Sequence, residues 1–566
     1  MPDQFPVFGP DALGADPDSR LPVDLASRGH QIFPTLSTDD LRRVRRFGVP
    51  RRWHDGECVF RACVDSPGMI VVLRGHLVCS RTDALGDRVE VVDYGPGQFS
   101  GEVAQLSGRP PLVDAVALGE LDALVLDPPS IRALLMAEAD LGERVMRAFI
   151  LRRVFLLSGH PGGPILIGPA AHAGLFELEN FLSRNGYPYT RRDPAHDPEA
   201  AQLVRQHWRS EADWPLVALP DGFVMRNPSL NEVGRCIGTL PRIDRDKVYD
   251  VLVVGAGPSG LATAVYAASE GLSVMVLDQR AYGGQAGASA RIENFLGFPT
   301  GISGRALAGR SYVQALKFGA EVAIPAQARR LLCNDRPLRV ELDDGSCLRA
   351  NTVVLAAGAR YRRPELAGLG QYEGRGVYYW ASPVEAGLCR GQAVLLVGGG
   401  NSAGQAAVFL SAYVSKVHLV VRRAGLEETM SSYLIERIGA APNIELHTCL
   451  DLAALEGDDN GLGKVRCRGI PDGRAVEFDT RHMFLFVGAD PNSDWLHECN
   501  VALDDKGFVQ TGADAGREQH GRGLETSVDG VFAVGDLRSG STKRVAAAAG
   551  EGAAVVAQIH AFMTEK

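Results

Sequence analysis

Several features that would place a protein in a common class are missing from this sequence. No two of its ten cysteines are separated by two residues, which excludes a Cys-x-x-Cys redox or zinc pair. No apolar run reaches the roughly 18–20 residues that span a bilayer, and residues 1–22 lack the basic and apolar regions of a secretory leader. The 59 Lys and Arg residues are outnumbered by 68 Asp and Glu residues, so the net charge of −9 gives no general attraction to nucleic acid or to anionic membranes. We expect a soluble, cytoplasmic protein with reduced cysteines.

Glycine is the residue that the chain has in excess. Its 65 copies are about 11% of the 566 residues, against a usual ~7%. The glycines concentrate after residue 249, where apolar strands alternate with helical segments, a pattern typical of parallel α/β architecture. Before that point, residues 1–33 are predicted to be a flexible arm, and residues 164–240 alternate β, helix, β, helix, β, β, helix.

Residues 34–158 show a different pattern. Short β runs at 69–73, 76–80, 89–93, 115–117 and 123–126 alternate with glycine turns, and a helical stretch follows at 131–157. This pattern predicts a small β-barrel closed by a helix. The sequence His160-Pro-Gly-Gly-Pro164 then predicts a linker.

The first glycine motif lies between an apolar strand at 250–254 and a helix at 261–270. It reads Gly255-Ala-Gly257-Pro258-Ser259-Gly260. In such a motif the first glycine makes a tight turn, the second lets the backbone approach a pyrophosphate, and the third lets the helix pack on the strand. A second strand at 274–277 ends in Asp278, which can accept hydrogen bonds from ribose hydroxyls. We therefore predict a dinucleotide site, the alternative being a purely structural glycine turn.

A second unit of the same kind follows the strand at 393–397. Its motif reads Gly398-Gly-Gly400-Asn401-Ser402-Ala403, and its next strand, 417–421, ends in Arg422 and Arg423 instead of an acid. Arginines at this position can pair with a 2′-phosphate, which favours NADPH over NADH. The alternative is a solvated arginine pair at a strand end.

Further motifs after residue 280 complete a family pattern. They are Gly283-Gly284-Gln285, Ile292-Glu-Asn294-Phe-Leu-Gly-Phe-Pro299, Ala356-Ala357-Gly358-Ala359, Gly488-Ala-Asp-Pro-Asn492 and Gly530-Val-Phe-Ala-Val-Gly535-Asp536. With the two glycine motifs, they make residues 249–566 resemble low-molecular-weight thioredoxin reductases. The resemblance implies a homodimeric NADPH-dependent FAD oxidoreductase with an FAD domain at 249–360 and 488–566 and an inserted NADPH domain at 361–487.

The resemblance also implies the residues that hold each cofactor. FAD would be held by Gly255, Gly257, Pro258, Ser259, Gly260, Asp278, Gly284, Gln285, Asn294, Ala357, Gly358, Gly535, Asp536, Arg544 and Val545. NADPH would be held by Gly398, Gly400, Asn401, Ser402, Ala403, Arg422 and Arg423. We assign no catalytic side chain and no metal site. Lys543-Arg544-Val545 stands where the family usually has Arg-Gln-Ala, so contacts to the flavin ring can differ there.

The sequence departs from this family at its redox centre. Where thioredoxin reductases carry a Cys-x-x-Cys before the second glycine motif, this chain reads Tyr378-Tyr379-Trp380-Ala381-Ser382-Pro383. Disulfide exchange needs one thiolate to attack and a second to resolve the mixed disulfide. Cys389 follows without a partner nearby, and we interpret it as structural.

Three hypotheses follow for the electron acceptor. Electrons could pass from FAD to a one-electron carrier, a quinone or oxygen, since thioredoxin-reductase-like ferredoxin–NADP reductases share the scaffold and also lack the dithiol. The chain could instead reduce disulfides with thiols of a partner protein. The third hypothesis is a non-enzymatic nucleotide-sensing flavoprotein, against which the intact NADPH motif argues.

The barrel segment has its own family resemblance. Phe33-Pro34, Gly95-Pro-Gly97 and Gly101-Glu102 make residues 34–158 resemble cyclic nucleotide-binding domains. The resemblance implies that Glu102 binds a ribose hydroxyl and that an arginine about ten residues later pairs with the cyclic phosphate. Leu112 occupies that place, and Arg109 is the nearby arginine. We expect a degenerate or repurposed pocket that regulates the enzyme, with cyclic-nucleotide binding at Gly101, Glu102 and Arg109 as the alternative.

Residues 164–240 resemble a thioredoxin or glutaredoxin fold in element order and in Trp214-Pro215, where that fold carries a cis-proline. The active-site cysteines would lie at 169–174, where this chain has none, so we predict a redox-silent adaptor. We interpret His172 as an exposed loop residue and Cys236 as a packing residue. The arginines at 42, 43, 45, 46, 51 and 52 are expected to form a solvated face, the alternative being a phosphate-binding patch.

Overall fold

The chain divides into two compact units. A computed structural model describes residues 28–62, 64, 67–82, 88–157, 163–169, 172–219, 223–240, 244, 246–289, 291–458, 460–516 and 522–565. The first unit comprises Met1–Ile243 with Leu316–Pro325, and the second comprises Asp244–Ala315 with Ala326–Lys566. Most of the predicted arm, most of the predicted linker and residues 170 and 171 of the loop before the first helix of the predicted adaptor lie outside the described residues.

The first unit begins with an antiparallel sheet. Its strands are paired in the order Val49–Trp53, Asp114–Leu126, Met69–Thr82, Arg88–Tyr94, and Cys58–Phe60 also pairs with Asp114–Leu126. The two β runs predicted at 69–73 and 76–80 belong to one continuous strand. Gly75 takes a φ of +78°, and the pairing register shifts around Arg74, so the strand continues past the glycine at which a turn was predicted. The runs at 115–117 and 123–126 likewise join, with Gly119 at a φ of +69°.

Helices cover this sheet, and one of them differs from the prediction. They are Gly29–Ile32, Thr38–Val44, Pro128–Ala137 and Ala139–Leu157, with a 3₁₀ turn at Val103–Ser107. The prediction of a single helix over 131–157 is wrong. The structure has two helices there, because the backbone of Glu138 leaves the helical region with φ −122° and ψ 82°. The predicted arm is also too long, because Ile32 is fully buried and packs with Leu151 and Phe155.

The arginine-rich segment is engaged in ion pairs on this surface. Arg43 bonds to both Glu138 and Asp140, Arg46 pairs with Glu138, and Arg52 lies 2.6 Å from Asp122. A separate ion pair joins Arg42 to Asp39. Since these guanidinium groups face carboxylates of the same unit, they favour the solvated-face interpretation over a phosphate-binding patch.

A second, smaller sheet follows in the same unit. Its strands are paired in the order Thr190–Arg192, Ile165–Ile167, Leu216–Ala218, Val224–Arg226, the first pair parallel and the others antiparallel. Helices Ala173–Arg184, Pro198–His207 and Leu230–Cys236 connect or follow the strands, and the peptide bond between Trp214 and Pro215 is cis. The packing role predicted for Cys236 is wrong: the residue is exposed, because its helix buries Val233 and Gly234.

The second unit contains a sheet built around the first glycine motif. Its strands are paired in the order Val274–Leu277, Val248–Val254, Cys347–Leu355, Leu338–Leu342, Ala328–Leu332, and Val531–Ala533 lies parallel to Cys347–Leu355. Helices Pro258–Ser269 and Val545–Thr564 accompany it, as does most of helix Gly304–Lys317. The short strand Glu321–Ala323 follows that helix and belongs to the first unit. The predicted strand at 274–277 is confirmed residue for residue.

The second glycine motif belongs to another parallel sheet. Its strands are paired in the order Val377–Tyr378, Met483–Leu485, Ala393–Val397, Lys416–Val420, Ile444–His447. Helices Gly284–Gly287, Leu369–Tyr372, Pro383–Leu388, Asn401–Ser411 and Ser432–Ala440 also occur in the second unit. Leu450–Asp458, Gly461–Gly469 and Ala475–Asp479 form an antiparallel sheet, and Ala359–Tyr361 pairs with Ala489–Pro491. The predicted nesting of two Rossmann-type folds is thus present.

Two features of the second unit differ from what the sequence led us to expect. Cys333 and Cys499 form a disulfide with their Cα atoms 6.1 Å apart, so the expectation of reduced cysteines is wrong for this pair. Among the described residues, helix Val545–Thr564 is long and apolar enough to cross a bilayer by length and composition alone. It nevertheless packs on helix Pro258–Ser269, and Gly552 is buried at that contact. A cytoplasmic location remains a prediction.

This helix contact gives a matched pair of glycine substitutions. A Cβ at Gly552 would lie 2.2 Å from the carbonyl oxygen of Ser259, whereas a Cβ at Gly550 meets nothing within 4 Å. We expect Gly552→Ala to lower the free energy of unfolding by about 1–3 kcal/mol, because backbone must move apart. Gly550→Ala should raise it by about 0.5–1 kcal/mol through helix propensity. Urea unfolding of both variants checks this, and equal stabilities would contradict the contact.

Candidate functional site

The first glycine motif forms a tight turn that exposes a helix N-terminus. Gly255 has a φ of +114°, and a Cβ there would lie 2.2 Å from the carbonyl oxygen of Ala356 on the neighbouring chain segment. Helix Pro258–Ser269 begins directly after Gly257, at which a Cβ would meet nothing within 4 Å. The first backbone N–H groups of a helix have no partner within it, so this end of the helix attracts anions such as a pyrophosphate.

The remaining residues of this motif hold the turn and the helix together. A Cβ at Gly260 would lie 1.8 Å from the carbonyl oxygen of Gly255, so only glycine allows the helix to approach so closely. The carboxylate of Asp278 accepts hydrogen bonds from the backbone N–H groups of Ala256, Arg280 and Ala281, at 2.9–3.1 Å. Asp278 therefore ties the glycine turn to the end of the second strand, and this leaves a partly exposed carboxylate beside the motif.

Two loops predicted to contact FAD have defined internal bonds. Gly283 and Gly284 take positive φ values of +90° and +54°, and the side-chain amide of Gln285 donates to the carbonyl oxygen of Ala359. The carbonyl oxygen of Ala357 accepts a 2.8 Å hydrogen bond from Asn492, while Gly358 leaves open space where a Cβ would stand. The side chain of Asn294 lies exposed on a turn.

The segment at 535–545 meets the first glycine motif. A Cβ at Gly535 would lie 2.5 Å from Oγ of Ser259, and the backbone N–H of Gly535 donates to Oε2 of Glu551 at 2.6 Å. Burial raises the pKa of the Asp536 carboxyl. Helix Val545–Thr564 starts at this point, with the exposed Arg544 as its N-cap residue. The structure thus brings two distant sequence motifs to one place, and Glu551 is a supporting residue that the sequence analysis missed.

The second glycine motif repeats the geometry of the first. Gly398 has a φ of +144°, and a Cβ there would lie 2.4 Å from the carbonyl oxygen of Phe486. Helix Asn401–Ser411 begins after Gly400, where a Cβ would meet nothing within 4 Å. Ser402 is exposed and Ala403 is buried against the sheet. The side-chain oxygen of Asn401 accepts the backbone N–H of Ser431 at 2.7 Å, so in this conformation it holds a neighbouring loop.

The two arginines predicted to select NADPH follow strand Lys416–Val420. Both Arg422 and Arg423 are exposed. The guanidinium of Arg423 forms an ion pair with Glu428. A 2′-phosphate would therefore compete with a carboxylate for Arg423, and positive charge is available at the strand end where the sequence analysis expected it.

A buried carboxylate organises the segment from Tyr378 to Pro383. Glu385 is completely buried; it accepts hydrogen bonds from the indole N–H of Trp380 at 2.8 Å and from the backbone N–H of Ser382 at 2.9 Å. The Ser382 hydroxyl donates to the same carboxylate. The hydroxyl of Tyr379 donates to Oε1 of Glu373 at 2.5 Å. Polar side chains thus occupy this segment with their own hydrogen-bond network.

Cys389 lies close to this segment but is unsuited to thiol chemistry. It is fully buried, and its Sγ donates to the carbonyl oxygen of Glu385 at 3.1 Å. Burial raises the pKa of its thiol to about 11. Because the thiolate is the reactive form, a protonated thiol without access to solvent is inert near neutral pH. This supports the structural interpretation of Cys389.

In the barrel, the predicted nucleotide-binding residues Gly101 and Glu102 lie beside two arginines of the barrel itself. Glu102 is almost completely buried, and its Oε1 lies 3.4 Å from the guanidinium of Arg153. Arg152 is also buried, donates to the carbonyl oxygen of Gly101 at 3.0 Å, and lies against the ring of Phe99. The guanidinium of Arg109 donates to the carbonyl oxygen of Val322 at 3.4 Å.

Two protein families match parts of this chain. Residues 249–552 match the family described as pyridine nucleotide-disulphide oxidoreductase, and residues 50–138 match the cyclic nucleotide-binding domain. The first match covers both glycine motifs, and the second covers Gly101, Glu102 and Arg109.

Individual relatives match the same C-terminal region. Thioredoxin reductase of Mycolicibacterium smegmatis is 32% identical over 320 residues, which are 56% of this chain and 98% of the relative. That of Bacillus subtilis is 28% identical over 323 residues, covering 57% and 97%. The crystal structure of the Lactococcus lactis thioredoxin reductase superposes with a TM-score of 0.52 at 26% identity, covering 56% of this chain and all of that one.

Proposed function

This chain belongs to the pyridine nucleotide-disulphide oxidoreductase family and is an NADPH-dependent FAD oxidoreductase resembling thioredoxin reductase, and from that premise we propose that its electrons reach an acceptor other than the disulfide of thioredoxin. The observation that carries this proposal is the buried Glu385 with its hydrogen bonds to Trp380 and Ser382. These residues occupy the segment that would otherwise hold the dithiol.

The two glycine motifs would hold the two cofactors. When bound, NADPH supplies a hydride that FAD accepts and passes on as electrons. The turn at Gly255–Gly260 and the N-terminus of helix Pro258–Ser269 would bind the pyrophosphate of FAD, and Gly535 packs against Ser259 of the same turn. The turn at Gly398–Gly400 would do the same for NADPH. We therefore propose that residues 249–360 and 488–566 would hold FAD and that residues 361–487 would hold NADPH.

Electron transfer through this chain's own thiols would require two cysteines near the flavin. The segment from Tyr378 to Pro383 contains none, and Cys389 is buried with a raised pKa. A one-electron carrier, a quinone or oxygen needs no dithiol, because the reduced flavin can deliver electrons directly. This class of acceptor is our first candidate.

A second candidate is a disulfide reductase that uses the thiols of a partner. It is favoured by the module at 164–240, for which we propose a thioredoxin-like fold; the order of its four strands and three helices supports that proposal. We propose that this module is a redox-silent adaptor, since its first helix begins after His172, at a place where such folds carry cysteines. His172 lies in a loop as expected but is half-buried, so the expectation of an exposed residue is wrong.

The arginine pair predicts a measurable preference for NADPH. In the double variant Arg422→Ala/Arg423→Ala, we expect the ratio of kcat/KM for NADPH to kcat/KM for NADH to fall roughly 5- to 140-fold. This corresponds to the loss of about 1–3 kcal/mol of charge-assisted contacts with the 2′-phosphate. Steady-state kinetics with an artificial electron acceptor measures this ratio. Arg468→Ala, which removes an exposed arginine from strand Gly461–Gly469, is the matched control. An unchanged ratio in the double variant would contradict the assignment.

The missing dithiol predicts that thioredoxin is a poor acceptor. We expect NADPH to bleach the bound flavin while oxidised thioredoxin in the same sample stays oxidised, because no thiol pair connects the two. Absorbance of the flavin and a free-thiol assay on thioredoxin measure both steps. Rapid thioredoxin reduction that survives Cys389→Ser would sink this proposal. Trp380→Cys/Pro383→Cys, which restores the spacing of the pair, tests whether the route can be rebuilt.

We propose that the barrel at 34–158 is a regulatory module whose pocket no longer suits an ordinary cyclic nucleotide. Oε1 of Glu102 lies 3.4 Å from the guanidinium of Arg153, and Leu112 stands where the phosphate-binding arginine is expected. Burying a phosphate without such a partner costs several kcal/mol, by order of magnitude. A nucleotide-like effector would change activity only through different affinities for two states of the enzyme.

Calorimetry on the full chain tests the ligand specificity of the barrel. We expect cAMP and cGMP to give no saturable heat at concentrations up to about 1 mM, because the phosphate lacks its charged partner. Leu112→Arg, which puts a guanidinium back at the expected place, is the informative variant, and Arg109→Ala is its control. Micromolar affinity of the wild type for either nucleotide would refute the degenerate pocket.

A further inference from the structure

Two histidines and a glutamate lie together on the sheet of the second glycine motif. His418 lies on strand Lys416–Val420, and Glu445 and His447 lie on the parallel neighbour Ile444–His447, with His418 opposite Glu445. Because side chains alternate along a strand, Glu445 and His447 project from the same face. Neither glycine motif uses these residues, and the sequence analysis assigned no metal site here.

The distances between their polar atoms suit metal coordination. Nδ1 of His418 lies 3.1 Å from Nε2 of His447, and the carboxylate oxygens of Glu445 lie 3.7 Å from His447 and 4.0 Å from His418. Tetrahedral zinc with bonds of about 2.0–2.2 Å spaces its ligand atoms about 3.3–3.6 Å apart. The two nitrogens are thus close to this spacing, and a small rotation would bring the carboxylate to it.

The surroundings of the cluster keep the ligands ordered and within reach of solvent. Both imidazole side chains are 19% exposed, and that of Glu445 is 48% exposed. The ring of Phe478 packs against both imidazoles, at 5.2 Å and 5.0 Å between centroids.

One contact opposes ion binding and supplies a means to test it. The ammonium of Lys416 forms an ion pair with Glu445. A bound cation would have to draw the carboxylate away from this ammonium and would be repelled by it. The competing state without an ion is a hydrogen bond between the two imidazoles, for which 3.1 Å is also a suitable distance.

We propose that His418, Glu445 and His447 bind one divalent first-row transition-metal ion, with a remaining coordination position open to solvent. Two imidazoles and one carboxylate form a donor set that such ions accept. A bound ion would cross-link strand Lys416–Val420 to strand Ile444–His447. The first of these strands ends two residues before Arg422. Its role would be to stiffen the strand end that carries the proposed NADPH arginines.

The site is tested by calorimetric titration with Zn²⁺. The FAD-loaded full chain is used, after a chelator has removed bound metals. We expect one saturable ion per chain, and affinity lower by about tenfold or more in His418→Ala, His447→Ala and Glu445→Gln because a ligand is lost. Lys416→Ala should bind Zn²⁺ more tightly, since the competing ammonium is gone. His497→Ala, which removes an exposed histidine elsewhere in the second unit, should leave the affinity unchanged.

The outcomes separate the two states of the cluster. Absence of saturable binding to the wild type, or equal affinity in the wild type and in the histidine variants, would overturn the proposal and leave the imidazole hydrogen bond as its replacement. If the histidine variants do not fold, the variants at the exposed residues Glu445 and Lys416 provide the test. Weaker Zn²⁺ binding in Glu445→Gln together with tighter binding in Lys416→Ala supports the site. Unchanged affinity in both variants overturns it.

Discussion

Both cofactor-binding folds depend on one steric constraint, the close approach of a strand-end glycine to the chain beside it. A side chain at Gly255 would collide with the carbonyl oxygen of Ala356, and one at Gly398 with that of Phe486. Both glycines also take positive φ values that favour glycine. This geometry turns each chain sharply at the end of its strand, so that the next helix begins directly after the glycine motif. The proposed pyrophosphate sites are the N-termini of these two helices, Pro258–Ser269 and Asn401–Ser411.

The segment from Trp380 to Ser382 depends on a different interaction, the hydrogen bonds of the Glu385 carboxylate. A buried carboxylate is costly unless it is paired, and here the donors are Trp380 and Ser382. The network therefore belongs to the folded core. It explains how this segment, which contains no cysteine, is held in place, and it is the observation on which the proposed class of electron acceptor rests.

Periodicity and glycine spacing were sufficient to predict the elements that carry the cofactor sites. Strand Val274–Leu277 and strand Ala393–Val397 have the predicted bounds, because apolar runs between glycine turns are local signals. Features that depend on distant residues could not be predicted. The disulfide joins Cys333 to Cys499 across 166 residues, and the break at Glu138 depends on packing and ion pairs that no periodicity records. The amide of Asn401 likewise binds a loop 30 residues away.

The electron capacity of the protein tests the central claim most directly. Anaerobic titration of the FAD-loaded chain with NADPH counts the hydride equivalents that it takes up, because a flavin accepts one and a flavin with a dithiol relay accepts two. The account predicts that one equivalent per flavin completes the bleaching and that no further NADPH is consumed. The variant Cys333→Ser/Cys499→Ser shows whether the disulfide between these two residues accepts any of the hydride equivalents. Uptake of two equivalents that persists in this variant would contradict the account.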